Sequence, residues 1–271
     1  MRAFLKTIGV LGMGLAAIVA AAPANAQTPG NGRPAAQLRV NDAYRSCVFD
    51  LHPELTKEEF EQFVAELGSV LHFRQLGDTR TLGRGKIELG VQLADTLIDD
   101  STAAWNNTMS HPTANHHVGR FMSFPRIVAR FGLSDRVDMG VSGGFAPNAN
   151  YGLAGVDTRI ALLTEGPTRP VSVSVRPSMT FLVAPSEVVV GNVGVDLSIS
   201  RAFGRLSPFA GVAASSSGAL ERSARVDLDP VSAGNTLSYA GLSYRWRALA
   251  MSAQVEKGAR VRYAFSLGTR F

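Results

Sequence analysis

The chain of 271 residues has a single cysteine and, after its first 26 residues, no long apolar run. One cysteine, Cys47, excludes an intramolecular disulfide. A membrane-spanning helix needs roughly 18 to 20 apolar residues, and no later stretch approaches that length. Phosphate-binding loops, Cys-x-x-Cys pairs and metal-ligand spacings are also missing. We therefore expect no cofactor and no bound metal.

The N-terminus has the composition of a segment that directs export. Arg2 and Lys6 precede an apolar run from Ile8 to Ala22, and Ala24-Asn25-Ala26 provides a small-residue cleavage site. This pattern predicts a secretory signal peptide over residues 1–26. Cleavage would remove two of the 27 Lys and Arg and none of the 22 Asp and Glu. The remaining basic excess is too small to favour nucleic acid as a partner.

Most of the remaining sequence alternates with a period of two. Val171, Val173 and Val175, for example, alternate with Ser172 and Ser174, which places apolar and polar side chains on opposite faces of a strand. Such runs recur through 83–271 and predict about ten strands, with eight or twelve as alternatives. Polar loops, the longest predicted at 95–118 and 215–234, alternate with tight turns, as they do in membrane barrels.

The last strand places its large apolar side chains on one face. Val261 to Phe271 reads V-R-Y-A-F-S-L-G-T-R-F, with Tyr263, Phe265, Leu267 and Phe271 on one parity. This segment resembles the C-terminal insertion signal of Gram-negative bacterial outer-membrane β-barrel proteins. The passage F-G-L-S-D-R-V-D-M-G-V at 131–141 is similar to the short periplasmic turns of those barrels.

The resemblance implies an all-β fold, a transmembrane antiparallel up-and-down β-barrel, over residues 83–271. It also implies an outer-membrane location, contact with outer-membrane lipid, and recognition of the last strand by the barrel-assembly machinery. It does not identify a subfamily or a solute.

The polar parity of the strands is rich in arginine and mixed in charge. Two interpretations remain open: a narrow pore that favours anions, or ion pairs that fill the interior, as the narrow lumen of a small barrel favours. The residues predicted to line the lumen are Lys86, Glu88, Arg126, Arg130, Asp138, Asp157, Arg159, Arg176, Asp196, Arg245, Glu256, Arg260, Arg262 and Arg270.

The segment before the barrel divides into a flexible leader, 27–55, and a helix with its connector, 56–82. Thr56 and Glu59 form a capping-box pair, and Phe60, Phe63 and Leu67 follow at helical spacing. The sequence thus predicts one amphipathic helix. Three locations are open: the periplasmic mouth, the lumen as a plug, or a partner protein.

The leading functional prediction is a non-enzymatic outer-membrane barrel, either a narrow passive channel or a structural and surface protein. One alternative is an outer-membrane hydrolase that uses His111, His116 and His117 with Asp99 and Asp100 in the first long loop. A second alternative is an exported soluble β-barrel binding protein, because alternating strands also build soluble sheets.

Overall fold

A computed structural model describes residues 39–73, 76–99, 101–112, 121–145, 149 and 151–271. The signal-peptide prediction at 1–26 lies outside the described residues. Within the described ranges no helix is long and apolar enough to cross a membrane.

Ten of the described strands form one closed sheet. In chain order they are β2 (Ile87–Leu97), β4 (Phe121–Gly132), β5 (Val137–Phe145), β6 (Gly152–Leu163), β7 (Ser172–Val183), β8 (Val188–Ser200), β9 (Leu206–Glu221), β10 (Val231–Trp246), β11 (Leu249–Lys257) and β12 (Val261–Arg270). Two short strands outside the barrel, β1 (Val48–Phe49) and β3 (Met109–Ser110), pair with each other. The helices are α1 (Lys57–Leu71) and α2 (Ala103–Asn106).

Each barrel strand pairs antiparallel with the next one along the chain, and the last pairs with the first. The closing pair joins β12 to β2 in a register that runs from Arg262 opposite Thr96 to Arg270 opposite Glu88. Closure leaves no strand edge unpaired, which a sheet in lipid requires. The predicted ten-stranded antiparallel barrel is confirmed.

The two faces of the barrel wall have opposite chemistry. Ile127 and Phe265, on the outer face, are 69% and 55% exposed, whereas Arg130 and Asp196, on the inner face, are each 1% exposed. A soluble sheet buries its apolar face and exposes its polar one. Here the arrangement is reversed, as in a barrel surrounded by lipid.

Two predicted loops are wrong in extent. The segment predicted as a polar loop at 215–234 is largely strand, because β9 continues to Glu221 and β10 begins at Val231, so only 222–230 connect them. The small residues Ala, Ser and Gly at 213–219 give the two faces little contrast, which hides the alternation. The segment at 95–118 is also partly regular, since β2 continues to Leu97 and α2 and β3 follow.

The two ends of the barrel differ in their connections. One end, the short-turn end, has the connections 133–136, 164–171, 201–205 and 247–248, together with Ile87 and Phe271. The other, the long-loop end, has the connections 98–120, 146–151, 184–187, 222–230 and 258–260. The two longest connections of the barrel are therefore at the same end.

Residues 39–55 and the start of α1 lie at the long-loop end. Strand β1 pairs there with β3, Leu51 donates its backbone N–H to Glu187, and the Nζ of Lys57 is 3.3 Å from Asp229. We call residues 39–55 together with 98–99 and 101–112 the cap. The part of the predicted flexible leader that the structure describes therefore differs from that prediction, because residues 47–51 are buried in the cap.

Candidate functional site: the filled barrel interior

Helix α1 begins with the predicted capping box. Thr56 Oγ1 accepts from the Glu59 N–H, and the Glu59 side chain accepts from the Thr56 N–H. These two bonds satisfy backbone donors that a helix start leaves without partners. Of the three locations that the sequence leaves open for this helix, the structure places it in the lumen.

Helix α1 contacts several strands of the barrel wall. Ser69 accepts from Asn235 on β10, and its backbone carbonyl accepts from Arg262 on β12. Gly68 faces β9 so closely that a Cβ at this position would lie 2.1 Å from the Ser217 Oγ. A side chain at position 68 would therefore require the Ser217 hydroxyl to rotate away or the helix to shift.

Arginines of the wall surround the C-terminal end of α1. Arg262 Nη1 donates to the carbonyls of Ser69 (2.8 Å) and His72 (3.2 Å), and Arg126 Nη2 donates to the carbonyl of Val70 (2.8 Å). The last carbonyls of a helix lack partners within the helix, and they carry its negative dipole end. Because α1 has no basic residue in its own last turn, the barrel wall supplies the cations.

A third arginine holds the chain just beyond the helix. Arg176 Nη2 donates to the carbonyl of Phe73 at 2.8 Å. The Phe73 ring also faces two guanidinium groups, since the Cζ of Arg176 is 5.2 Å and that of Arg126 is 5.5 Å from its centroid. Such cation–π contacts strengthen when they are desolvated, and Phe73 is 1% exposed.

The connector is residues 72–86, and its described parts, 72–73 and 76–86, lead to the short-turn end. Asp78 pairs with Arg245 of β10 at 2.8 Å and with Arg80 at 2.7 Å. The Leu82 N–H donates to the carboxylate of Asp138 on β5, and Gly85 donates to the Gly132 carbonyl at the rim. The described residues 57–73 and 76–82 therefore extend through the lumen from one end to the other.

Buried ion pairs connect strands along the inner face of the wall. Arg130 on β4 pairs with Asp157 on β6 at 2.5 Å, and Arg176 on β7 pairs with Asp196 on β8 at 2.9 Å. The first pair crosses β5 at Gly140, which stands opposite both partners in register. A Cβ on Gly140 would lie 2.3 Å from Asp157 Oδ1, so the missing side chain makes room for the pair.

Two small cavities lie beside the connector. A cavity of about 40 Å³ lies between Asp78 and the wall residues Glu88, Arg245 and Arg270, and a second of about 20 Å³ lies beside Arg159. One water needs about 10–15 Å³ of such space. Each of these two cavities therefore has room for only a few waters.

The long-loop half of the interior has an apolar core. Phe63 of α1 contacts Phe49 (5.8 Å between centroids) and Trp105 (4.8 Å) edge to face, as aromatic pairs prefer. Inward residues of the wall near this end, among them Phe124, belong to the same core. The buried wall members are Met122, Phe124, Leu153, Leu182, Val188, Val190, Ala219 and Val231.

A charged cluster fastens the cap to the loops. Asp50 accepts from Ser110, Arg39 and Arg225 at 2.5 to 2.7 Å, and Arg225 also contacts Glu187 at 2.5 Å. Burial opposes ionisation of Asp50, but the hydrogen bonds from Ser110 and Arg225 and the charge of Arg39 outweigh it. The pKa of Asp50 is therefore lowered.

The predicted lumen-lining residues fall into three groups. Arg126, Arg130, Asp138, Asp157, Arg159, Arg176, Asp196, Glu256 and Arg262 are buried in the interior. Glu88, Arg245 and Arg270 are half-buried near the short-turn end, where Arg270 pairs with Glu88, and Arg260 is half-buried in the 258–260 connection and pairs with Glu66. Lys86 is different, because it precedes β2 and is exposed at the rim rather than lining the lumen.

The residues of the predicted insertion signal all face outward. Tyr263, Phe265, Leu267 and Phe271 are 43% to 71% exposed. Their recognition by an assembly machinery stays a prediction.

Of the histidines and acids in the predicted hydrolase site, the structure describes His111 and Asp99. His111 is 5% exposed, with its Nδ1 3.1 Å from the Cys47 Sγ, and burial raises the pKa of that thiol. Asp99 accepts from Ser101 and donates its backbone N–H to Glu66. His116, His117 and Asp100 lie outside the described residues.

Several interior residues were not singled out from the sequence. His72 is fully buried, with its Nδ1 3.3 Å from Asn192 Oδ1 and its Nε2 3.7 Å from Asp196. Asp78 and Phe73 of the connector are buried as well. The connector does not alternate as the strands do, so the sequence carried no signal for these contacts.

A closed antiparallel barrel with an apolar outer face and a charged interior is now established. This is the architecture of a bacterial outer-membrane β-barrel. No family model matches the chain, and no curated protein matches it.

Solved structures with some likeness include outer-membrane barrels. They include Ail, the attachment invasion locus protein of Yersinia pestis (11% identity over 69% of this chain and 99% of that one, TM-score 0.31). The N-terminal barrel domain of Pseudomonas aeruginosa OprF (11%, 70% and 99%, TM-score 0.31) and the KdgM porin with disordered oligogalacturonate (9%, 69% and 99%, TM-score 0.35) are further examples. With such low TM-scores, these likenesses carry no argument about function.

Proposed function

We propose that this protein is a non-enzymatic structural and surface barrel of the bacterial outer membrane, kept closed by its own N-terminal segment. Export through the signal peptide at 1–26 and insertion through the last strand would bring it there. Its partners would be outer-membrane lipid and the barrel-assembly machinery, and no nucleic acid. The long-loop end would face the outside, as the longer loops of such barrels do.

The outer face supports a membrane location. Val91, Ile127, Val193, Phe265 and Leu267 are between 47% and 69% exposed. Exposed apolar patches on soluble monomers rarely exceed a few hundred Å², whereas here every strand of the barrel carries exposed apolar side chains. Lipid is the solvent that matches such a face.

The capping of α1 by Arg126 and Arg262 is the main support for a closed barrel. Hydrogen bonds to charged groups contribute about 1.5–3 kcal/mol each, and both guanidinium groups are buried. The helix is therefore held inside the wall by bonds that an open channel would have to break. This favours a structural barrel over the passive channel as the resting state.

The test is single-channel recording in planar bilayers. We expect the full-length protein to give no stable conductance steps, and Arg126→Gln/Arg262→Gln to give them, because α1 loses its C-terminal partners. Arg136→Gln/Arg247→Gln removes the same charge from the exposed rim and should stay silent. Stable steps from the unmodified protein would disprove the closed state and support the passive channel.

An engineered disulfide between α1 and the wall distinguishes release of the helix from general damage to the fold. A Cβ at position 68 would lie 3.0 Å from the Cβ of Ser217, slightly closer than the roughly 3.5–4.5 Å of a disulfide. Gly68→Cys/Ser217→Cys in a Cys47→Ser background should silence the Arg126/Arg262 variant when oxidised and restore its conductance on reduction. Conductance that ignores the redox state would mean that α1 is not the gate.

The soluble alternative and the hydrolase alternative need separate tests. A membrane barrel should float with phosphatidylcholine vesicles and migrate differently on a gel before and after boiling, whereas a soluble barrel should stay in the aqueous fraction. For the hydrolase, replacing His111, His116 and His117 together should change no measurable hydrolysis if the protein is non-enzymatic.

A further inference from the structure

The short-turn end carries exposed basic side chains at each of its connections. Residues 83–86, which precede β2, have two of them. The connections 133–136 and 164–171 have one each, 201–205 has two and 247–248 has one. We call these seven residues the basic ring. They are Arg84, Lys86, Arg136, Arg169, Arg201, Arg205 and Arg247.

The basic ring is not neutralised by the protein itself. Asp135 is the one exposed acidic side chain among the described residues of these connections, and Glu165 is half-buried and accepts from the Ala202 N–H. Within the part of the chain that the structure describes, no ion pair involves any member of the ring. The seven cations are therefore available to an external anion.

The long-loop end has no comparable excess of charge. Its described exposed acids are Asp42, Glu54, Glu58, Glu61, Asp227 and Asp229, and its described exposed bases are Arg45, Lys57, Arg222, Arg225 and Lys257. The two signs nearly balance there, and Lys57 and Arg225 are held in ion pairs with Asp229 and Asp50. The cationic excess thus belongs to one end of the barrel.

Exposed aromatic residues stand beside the basic ring. Phe203 is 56% exposed and lies 4.9 Å from the Cζ of Arg201, and Trp246 is 46% exposed and lies 5.4 Å from the Cζ of Arg247. Aromatic side chains of membrane barrels lie at the headgroup level. Arginines stacked on them therefore stand at the height of lipid phosphates, which a guanidinium binds through two parallel hydrogen bonds.

Arg247 has a backbone conformation that is unusual for a residue other than glycine. Its φ is 54°, in the left-handed region that favours glycine. Arginine occupies this tight turn although glycine would fit it with less strain. The guanidinium over Trp246 gives the arginine a contact that glycine could not make.

We propose that the basic ring binds the phosphate groups of anionic phospholipids in the leaflet at the short-turn end. The inference rests on the proposed function, because it needs the barrel to lie in a membrane. The ring would hold the barrel at a fixed depth and collect anionic lipid around that end. Attraction of this kind weakens at high ionic strength.

Trp246 provides the reporter for a test with the full-length protein. The chain has two tryptophans, and Trp105 is buried in the cap, so brominated lipids should quench mainly Trp246. In vesicles of equal parts phosphatidylcholine and phosphatidylglycerol, we expect stronger quenching when the phosphatidylglycerol is the brominated lipid. The preference should fall as salt is raised.

Two matched triple variants test the assignment to this end. Arg201→Gln/Arg205→Gln/Arg247→Gln should weaken the preference for phosphatidylglycerol by up to about fivefold for each arginine removed. Arg45→Gln/Arg222→Gln/Lys257→Gln removes the same charge from the long-loop end and should keep the preference. Inorganic phosphate should not compete at the concentrations of lipid used, because one free anion cannot engage the whole ring.

Three outcomes would overturn the proposal. They are equal quenching by the two lipids in the unmodified protein, an equal loss in both triple variants, or a preference that does not respond to salt. Failure of the protein to float with pure phosphatidylcholine vesicles would instead contradict the proposed function, since that binding does not depend on the ring.

Discussion

The two halves of the barrel interior are filled by different chemistry. In the long-loop half, Phe63 and Leu67 of α1 pack against inward apolar residues of the wall such as Leu153 and Val190. In the short-turn half, the wall is lined by buried ion pairs such as Arg130–Asp157 around a polar connector. The polarity of the wall therefore matches that of the segment it encloses: the wall is apolar beside Phe63 and Leu67, and charged beside the C-terminal end of α1 and the connector.

The matching has an energetic reason. Fully burying a Leu or Phe side chain contributes about 1.5–3 kcal/mol, so a helix with an apolar stripe is stable in a lumen only where the wall is also apolar. Charged side chains in the other half are stable only when each has a partner. Changes in the two halves should therefore differ in size and in how they combine.

The largest effect is expected from breaking a buried ion pair in the short-turn half. Asp157→Ala would leave Arg130 and Arg176 without the carboxylate that lies 2.5 and 3.8 Å from them. Removing one partner of a buried pair costs about 3–5 kcal/mol. Urea unfolding in detergent should show that loss of free energy, and Arg130→Met/Asp157→Leu should recover most of it. A loss below about 1 kcal/mol for Asp157→Ala would contradict this account.

The next effect is expected from the apolar half. Leu67 has no exposed surface, and Leu→Ala in such a site costs about 2–5 kcal/mol. Ser174→Ala in the other half, which removes a 3.0 Å hydrogen bond to Ser198, should cost only about 0.5–1.5 kcal/mol. Unfolding midpoints of the two variants measure the contrast, and equal losses would argue against a distinct apolar core.

A smaller effect is expected where α1 enters the apolar half. Thr56→Ala removes the side-chain acceptor of the Glu59 N–H, and loss of an N-cap typically costs about 1 kcal/mol. Thr56→Ser keeps the hydroxyl and should restore the midpoint. Faster hydrogen exchange at the Glu59 amide in the alanine variant alone would locate the effect at the N-terminus of α1.

The smallest expected effect is a pH dependence confined to the cap. The lowered pKa of Asp50 means that its carboxylate stabilises the folded cap above the ordinary Asp pKa of about 3.9. That contribution is lost as the pH falls from about 4 through the folded pKa. The unfolding midpoint, measured at decreasing pH, should fall less steeply in Asp50→Asn than in the unmodified protein. An identical acid profile in the variant would exclude Asp50 as a contributor.

Much of the barrel could be predicted from the sequence. Lipid outside and the lumen inside require apolar and polar side chains to alternate along each strand. The closing strand, the strand count and the capping box at Thr56 all follow from local patterns. The location of α1 did not follow, since an amphipathic stripe shows that a helix is covered but not by what. A signal was present at Met122 and Phe124, whose inward parity on an otherwise polar face indicates an apolar partner inside the barrel.

The charged interior was predictable in composition but not in pairing. Arg126 and Arg262 share the inward parity with Arg130, yet two of them bind helix carbonyls and the third binds Asp157. Parity determines only which face a side chain takes. Its partner depends on the strand stagger and on the position of the helix, which are properties of the closed barrel.

The path of the described residues 57–73 and 76–86 connects the two ends of the wall through its interior. The chain enters at the long-loop end and leaves at the other end, where β2 begins. The ten paired strands form a closed ring around it. The β2–β12 pairing therefore completes the wall and encloses the plug in one step.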